Sequence, residues 1–374
     1  MIAISPRLPF LDSARGLAAL SVITWHCFTA IFNHPENSSL YTSPFHFFLY
    51  GEADMIFFFI HSGFILSYAH SEFKKKITFP SYLKYLATRI FRIYPLFLII
   101  LFISYFIKKS FFPIGTTYLS DHFSKFWKNS ISLGDLFRQG ILAVRIPDNP
   151  YLRLIPQDWT LTVEVLVCPM IPFINLLNGK LKFASWLIVL ILLKVFHFNT
   201  YLFEFSIGVN LYYYRNSVSA IWAKCPLFAK YLVFVLAIFL YTCCFSYPNI
   251  FTAEKFTFSP AIDRLMVAIG CSLFFVFVLN SARIQNFLTI PFLSRIGKIC
   301  YSLYVNHILL LILFSNIVIS KLDSLIKNPT WLIVLIFVVI FQVLNILISY
   351  LTYYLIERPF NKLGKLVTSY FTIG

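Results

Sequence analysis

Long apolar stretches succeed one another along this chain, each broken by only one or two polar residues and joined by short basic connections. Stretches long enough to cross a bilayer as helices lie at 11–32, 53–69, 91–107, 159–177, 183–198, 200–214, 227–245, 261–279, 292–319 and 331–356. The pattern predicts an all-α, polytopic membrane protein with about ten transmembrane helices. A charged side chain inside such a helix is costly, so it has to be paired or used. The polar interruptions are therefore where chemistry is sought.

The first stretch carries three of them: Asp12, Arg15 and His26. From Arg15 to His26 the helix climbs about 16 Å and returns to within about 20° of its starting direction. One face thus presents a guanidinium near one membrane surface and an imidazole near mid-membrane. Asp12 lies within about 40° of the same line, one turn from Arg15, where it can hold the guanidinium.

The second stretch opens with Glu52 and Asp54, and His61 follows Asp54 on the same face. Gly63 permits a close backbone approach there. Two readings stand for His61 and Ser62: a functional pair, or hydrogen bonds between helices. Arg89 and Arg92, three residues apart, fall on one helical face at a cytoplasmic boundary. They are either ordinary anchors or, with Lys84, receivers of phosphate, for which arginine's planar fork is suited. Glu164 is expected about one turn inside an external boundary. Glu204, and Tyr301 and Tyr304 with His307, read singly as interhelical hydrogen bonds, and Lys194 as a snorkelling cation.

Composition sharpens the class. At 59% hydrophobic and 12% charged the chain lies outside the range of soluble domains. Its net charge of +16 does not indicate nucleic acid, because the basic residues recur in the connections rather than forming one stripe. Lys74, Lys75, Lys76, Lys84, Arg89 and Arg92 belong to the connections that an N-in, C-in topology places in the cytoplasm. The segment 108–157 dissents, with Lys125, Lys128, Arg138, Arg145 and Arg153 on the external side. Its aromatics, Phe123, Phe126 and Trp127, predict that it lies on the membrane surface or dips back into the protein. The seven cysteines have no metal-like spacing and read as small buried hydrophobes, so no metal is expected. No cleavable signal, phosphate-cradling glycine loop or nucleophile elbow is visible, and residues 1–374 read as one membrane domain with no fused soluble domain. A buried histidine as base and a cytoplasmic basic cluster suit a phosphorylated, activated donor entering from the cytoplasm.

These segments together resemble the integral-membrane acyltransferase-3 family, which includes bacterial O-acetyltransferases of lipopolysaccharide O-antigen and other surface glycans. The resemblance runs from Leu11-Asp12-Ser13-Ala14-Arg15-Gly16 with His26, through Asp54 to Gly63, Arg89 to Pro95 and Trp159 to Glu164. It continues with Glu204-Phe205-Ser206-Ile207-Gly208, Gly297 to Tyr304 ending at His307, and Ile356-Glu357-Arg358-Pro359. Departures are His61 at a position usually apolar, Cys300 where Ser is common and Asn306 where Trp is common. The resemblance implies transfer of an acetyl group from cytoplasmic acetyl-CoA, a co-substrate, to a glycan or lipid-linked sugar hydroxyl in the bacterial inner membrane. It implies His26 as catalytic base with Arg15 as its partner, and donor contacts at Arg89 and Arg92. The residues themselves add Glu164 to the catalytic candidates, Lys84 and Ser62 to the donor contacts, and Asp12, Asp54, His61, Tyr301 and His307 as supporting groups. Succinyl or another acyl group remains an alternative donor. From a different class, a glycan or lipid flippase would also carry buried charge, but no paired broken helices or repeat symmetry are visible.

Overall fold

The computed structural model describes residues 8–31, 51–112, 120–142, 153–181, 201–242, 260–319 and 331–372. Among these, the regular elements are all helices. In chain order they are α1 (Pro9–Ile31), α2 (Gly51–Ala69), α3 (Phe79–Phe111), α4 (Asp121–Ser124), α5 (Leu133–Gly140), α6 (Asp158–Val167), α7 (Ile171–Leu181) and α8 (Leu202–Lys224). There follow α9 (Leu227–Thr242), α10 (Pro260–Asn280), α11 (Ala282–Leu288), α12 (Pro291–Lys298), α13 (Cys300–Ile319), α14 (Trp331–Thr352) and α15 (Arg358–Ser369).

Six helical stretches among the described residues are long and apolar enough to cross a bilayer: Pro9–Ile31, Phe79–Phe111, Asp158–Asn178, Ile262–Asn280, Cys300–Ile317 and Leu332–Ser369. The expected stretch at 183–198, with Lys194, lies outside the described residues, as do Arg145 and the cysteines at 243 and 244. Asp158–Asn178 is not one regular helix. Pro169 cannot donate a backbone hydrogen bond, and a 3-10 turn at Cys168–Met170 separates α6 from α7. The 33 residues of α3 span about 50 Å, well beyond an apolar layer of about 30 Å.

The chain forms two compact, interleaved units, and α1 contributes to both: Met1–Val22 belongs to the first and Ile23–Pro35 to the second. The first unit also holds α2 and the segment Val167–Lys298. Here α2 and α8 cross backbone to backbone. A Cβ at Gly63 would strike the carbonyl oxygen of Phe205, and one at Gly208 the carbonyl oxygen of Ile60. Small residues allow such an approach, which brings in van der Waals contact where lipid offers no hydrophobic drive. Phe275 fills the adjacent core, its ring 5.0 Å from that of Phe64 and 5.9 Å from that of Phe57.

The second unit holds α3 to α6, α13, α14 and α15. It also draws part of the 108–157 segment inward, so that Phe123, Phe126, Trp127, Leu154, Ile155 and Gln157 are all buried. Trp127 takes a left-handed backbone (φ 65°), uncommon for a bulky side chain. Buried ties hold it: Lys108 donates to its carbonyl, and its Nε1 donates to the carbonyl of Leu154 at 3.0 Å. Where α14 meets α15, a π-helical turn at Tyr353–Glu357 aims Glu357 inward to accept the Ser302 hydroxyl at 2.7 Å.

Candidate active site

His26 lies in the half of α1 that belongs to the second unit, and its side chain is half-buried. Its ring stacks on that of His307, with centroids 5.1 Å apart and planes inclined by 29°. The edge of Phe123 closes a further side at 6.1 Å. Phe123 is there because Ser120 caps the short helix α4 and ties it to α1. The Ser120 hydroxyl accepts from the Phe123 amide and donates to the Thr29 carbonyl at 2.6 Å, while its own amide donates to Ala30 at 2.9 Å.

His307 is fully buried, and its Nδ1 lies 2.6 Å from the carbonyl oxygen of Tyr304. A carbonyl can only accept, so Nδ1 carries the proton. In the neutral ring Nε2 then presents a lone pair, and among the described residues it has no hydrogen-bond partner. The turn that holds His307 is itself held. Gln157 donates its amide to the Val305 carbonyl at 3.0 Å, and the Tyr304 hydroxyl meets that of Thr160 at 2.9 Å.

Arg89 and Glu164 form an ion pair in the second unit. The sequence placed them near opposite membrane boundaries, and that placement is corrected: two groups in contact share one depth. The physical reason is the inward course of the chain before α6, where Leu154, Ile155, Gln157 and Asp158 are all buried. Arg92 lies three residues on from Arg89 along α3, Lys84 is half-buried on the same helix, and Tyr301 donates its hydroxyl to the Ile93 carbonyl at 2.5 Å. A second ion pair, Arg153 with the fully buried Asp158, braces the start of α6.

The remaining sequence-predicted residues, Asp12, Arg15, Asp54, His61 and Ser62, fall in the first unit. Asp54 and His61 lie on one helix but serve different neighbours. Asp54 accepts from the Tyr241 hydroxyl at 2.6 Å, and His61 Nε2 donates to the Leu11 carbonyl at 3.1 Å. Glu204 accepts from Arg264 Nε at 2.6 Å, with the guanidinium 3.8 Å from the centre of the Tyr201 ring. His61 and Glu204 thus each make a hydrogen bond to another helix. Sequence reasoning named Phe123 in a segment expected to lie on the membrane surface or to dip back into the protein, but not as a neighbour of His26, and it gave Gln157 and Thr160 no role in the site. It also missed Arg264, which the rule applied to Glu204, a charge inside an apolar stretch, could have found.

A family model described as an acyltransferase domain (Acyl_transf_3) matches residues 8–354. Comparison with curated proteins and with solved structures gives no match. The matched range takes in both histidines of the stacked pair, the arginines of α3 and all but one turn of the last long apolar stretch before α15. On that match, and with its succession of apolar helices, the chain belongs to the acyltransferase-3 family and is a multi-pass membrane acyltransferase.

Proposed function

We propose that the protein transfers an acetyl group from cytoplasmic acetyl-CoA to a hydroxyl of lipopolysaccharide O-antigen or another surface glycan, and that it works in the bacterial inner membrane. The observation that carries this reading is a half-buried His26 stacked on a buried His307. A half-buried imidazole flanked by aromatic rings is suited to general-base work. Neutral His26 takes the proton of the sugar hydroxyl as its oxygen attacks the thioester carbonyl, a role typically worth about 10²- to 10⁴-fold in rate.

Arg15, about three turns of α1 from His26, and Ser62 are proposed as polar partners of the donor and not as groups at the reacting carbonyl. Acetyl-CoA is too highly charged to cross the bilayer, so its pantetheine arm reaches toward His26 while its phosphates stay at Lys84, Arg89 and Arg92. Glu164 orients Arg89, whose fork has five donors and keeps several for phosphate. Asp12, Asp54, His61 and Tyr301 support the helices around the acceptor and donor paths.

The test is His26→Ala, followed by mass spectrometry of surface glycans and by acetyl-CoA turnover in the purified protein. Acyl transfer should be abolished while the variant still inserts and purifies. Wild-type acetylation would sink the reading. Thioester turnover separates it from a flippase, which should show none, and a panel of acyl-CoA donors separates acetyl from succinyl transfer.

A further inference from the structure

The geometry points to His307 as a second acid–base residue of this site: its Nε2 holds the transferred proton between attack of the hydroxyl and departure of the thiol. The inference rests on acyl transfer at His26. Three observations lead to it. The proton on Nδ1 is fixed by the Tyr304 carbonyl, which leaves Nε2 as the ring's only open position. That atom is buried without a hydrogen-bond partner among the described residues, although an unmet buried acceptor costs about 1–3 kcal/mol. And the ring lies against the one whose proton has to be stored, stacked on it at 5.1 Å centre to centre, a span that one bridging water crosses.

A histidine that served only to pack would not need a fixed tautomer, and a phenyl ring would fill the space without stranding a nitrogen. Two supporting contacts show that the tautomer is held deliberately: Gln157 fixes the Val305 carbonyl and Thr160 fixes the Tyr304 hydroxyl, so the turn that carries the accepting carbonyl cannot drift. Asn306, next in line, is anchored elsewhere, donating to Thr352 at 2.9 Å and to Ser349 at 3.2 Å, and so does not compete for Nε2.

The proton balance is as follows. The hydroxyl O–H bond breaks as the oxygen bonds the acyl carbon, and the proton forms an N–H bond on His26. In the same step the hydrogen that His26 already carried passes to His307 Nε2, so that His26 stays neutral and more than one proton moves together. As the C–S bond breaks, the proton returns through His26 to the sulfur, and coenzyme A leaves as the thiol. Two stacked cations in a dry site repel, so the pair carries a single extra proton throughout. His307 Nδ1 keeps its hydrogen on Tyr304 at every stage.

The experiment uses the full-length protein in lipid vesicles with acetyl-CoA and the acceptor, comparing His307→Asn and His307→Gln with wild type. Asparagine places an N–H where Nδ1 stood, so it keeps the Tyr304 bond and lacks the base; glutamine places an amide near Nε2. Both should lower kcat by about 10²-fold, within the range of lost acid–base groups, with KM for acetyl-CoA within about twofold of wild type. In mixtures of light and heavy water, the dependence of kcat on deuterium fraction should change from curved, with two protons in flight, to linear, with one. A His307→Asn enzyme with wild-type kcat overturns the inference, as does a slowed enzyme whose curvature is unchanged, since a structural role predicts that. If one variant fails to purify, the other is read alone by the same two criteria. Loss of activity in His26→Ala together with a normal His307→Asn would overturn this inference and leave the proposed function standing.

Discussion

The two units treat buried polar groups differently. In the first, three of the groups that the sequence flagged reach another helix: Asp54 accepts from Tyr241, Glu204 from Arg264, and His61 donates to the Leu11 carbonyl. These contacts cross between α2 and α9, α8 and α10, and α2 and α1. They close circuits that would otherwise leave charge in hydrocarbon. In the second unit, His307 spends one ring nitrogen on its own helix and leaves the other open beside His26. The difference teaches that a polar residue in an apolar stretch has two meanings: a tie that reaches another helix, or a tool that bonds its own helix and lies against a second imidazole.

The comparison breaks first, and most visibly, at Glu204. If it is a tie, Glu204→Gln leaves the Arg264 guanidinium uncompensated, and removing one partner of a buried pair costs about 3–5 kcal/mol. Thermal unfolding in detergent should fall sharply, whereas the acyl-transfer kcat of the folded fraction should be unchanged. Replacing both residues by Leu should recover much of the loss, because well-packed apolar side chains often serve as well as an ion pair. A Glu204→Gln protein of normal stability but no activity would move Glu204 among the tools.

Arg89 and Arg92 sharpen the comparison on the other side. Arg89 is tied to Glu164, yet the proposal also uses it to hold phosphate, so it is the one group asked to be both. Changing both arginines to Gln should raise the apparent KM for acetyl-CoA by about tenfold or more, as charge-assisted contacts are worth roughly 1.5–3 kcal/mol. The effect on kcat should be smaller, because phosphate contacts act equally in ground and transition states. An unchanged KM would make the pair a tie only.

How much of this was legible beforehand follows from range along the chain. The helical class, the polar interruptions at Asp12, Arg15, His26, Asp54 and Glu204, and the close approach at Gly63 are local signals and were readable. The partner glycine, Gly208, was quoted only as part of a motif, since a crossing point between α2 and α8 has no local signature. The contact between Arg89 and Glu164 was not readable, because it depends on where 153–157 runs, and that course is fixed by long-range ties such as Gln157 to Val305. The pairing of His26 with His307 joins residues far apart in the chain, which no spacing rule reaches.

The smallest effect expected lies outside the apolar helices, at the start of α5, and it tests what a fully closed polar contact does when one member titrates. Ser132 and Asp135 form a reciprocal cap: the Ser132 hydroxyl accepts from the Asp135 amide at 3.1 Å, while the Asp135 carboxylate accepts from the Ser132 hydroxyl at 2.6 Å and from its amide at 3.0 Å. The Ser132 side chain, followed by its backbone N–H, holds the Asp135 carboxyl below the ordinary carboxylate range. A carboxyl whose affinity for protons is lower in the folded chain stabilises the fold above the unfolded value, near pH 4, and loses that contribution as pH falls through its own folded value. Protection of the α5 amides, taken relative to their intrinsic exchange rates, should therefore fall as the pH drops below about 4, whereas in Asp135→Asn it should already be lower at neutral pH and nearly flat on acidification. The cap is largely solvated, so the change should stay near 1 kcal/mol, within the range for helix caps, and acyl transfer should not follow it. A cap whose loss did slow transfer would mean that α5 steers the inward segment behind His26, and the division between ties and tools would then have to be redrawn within the second unit itself.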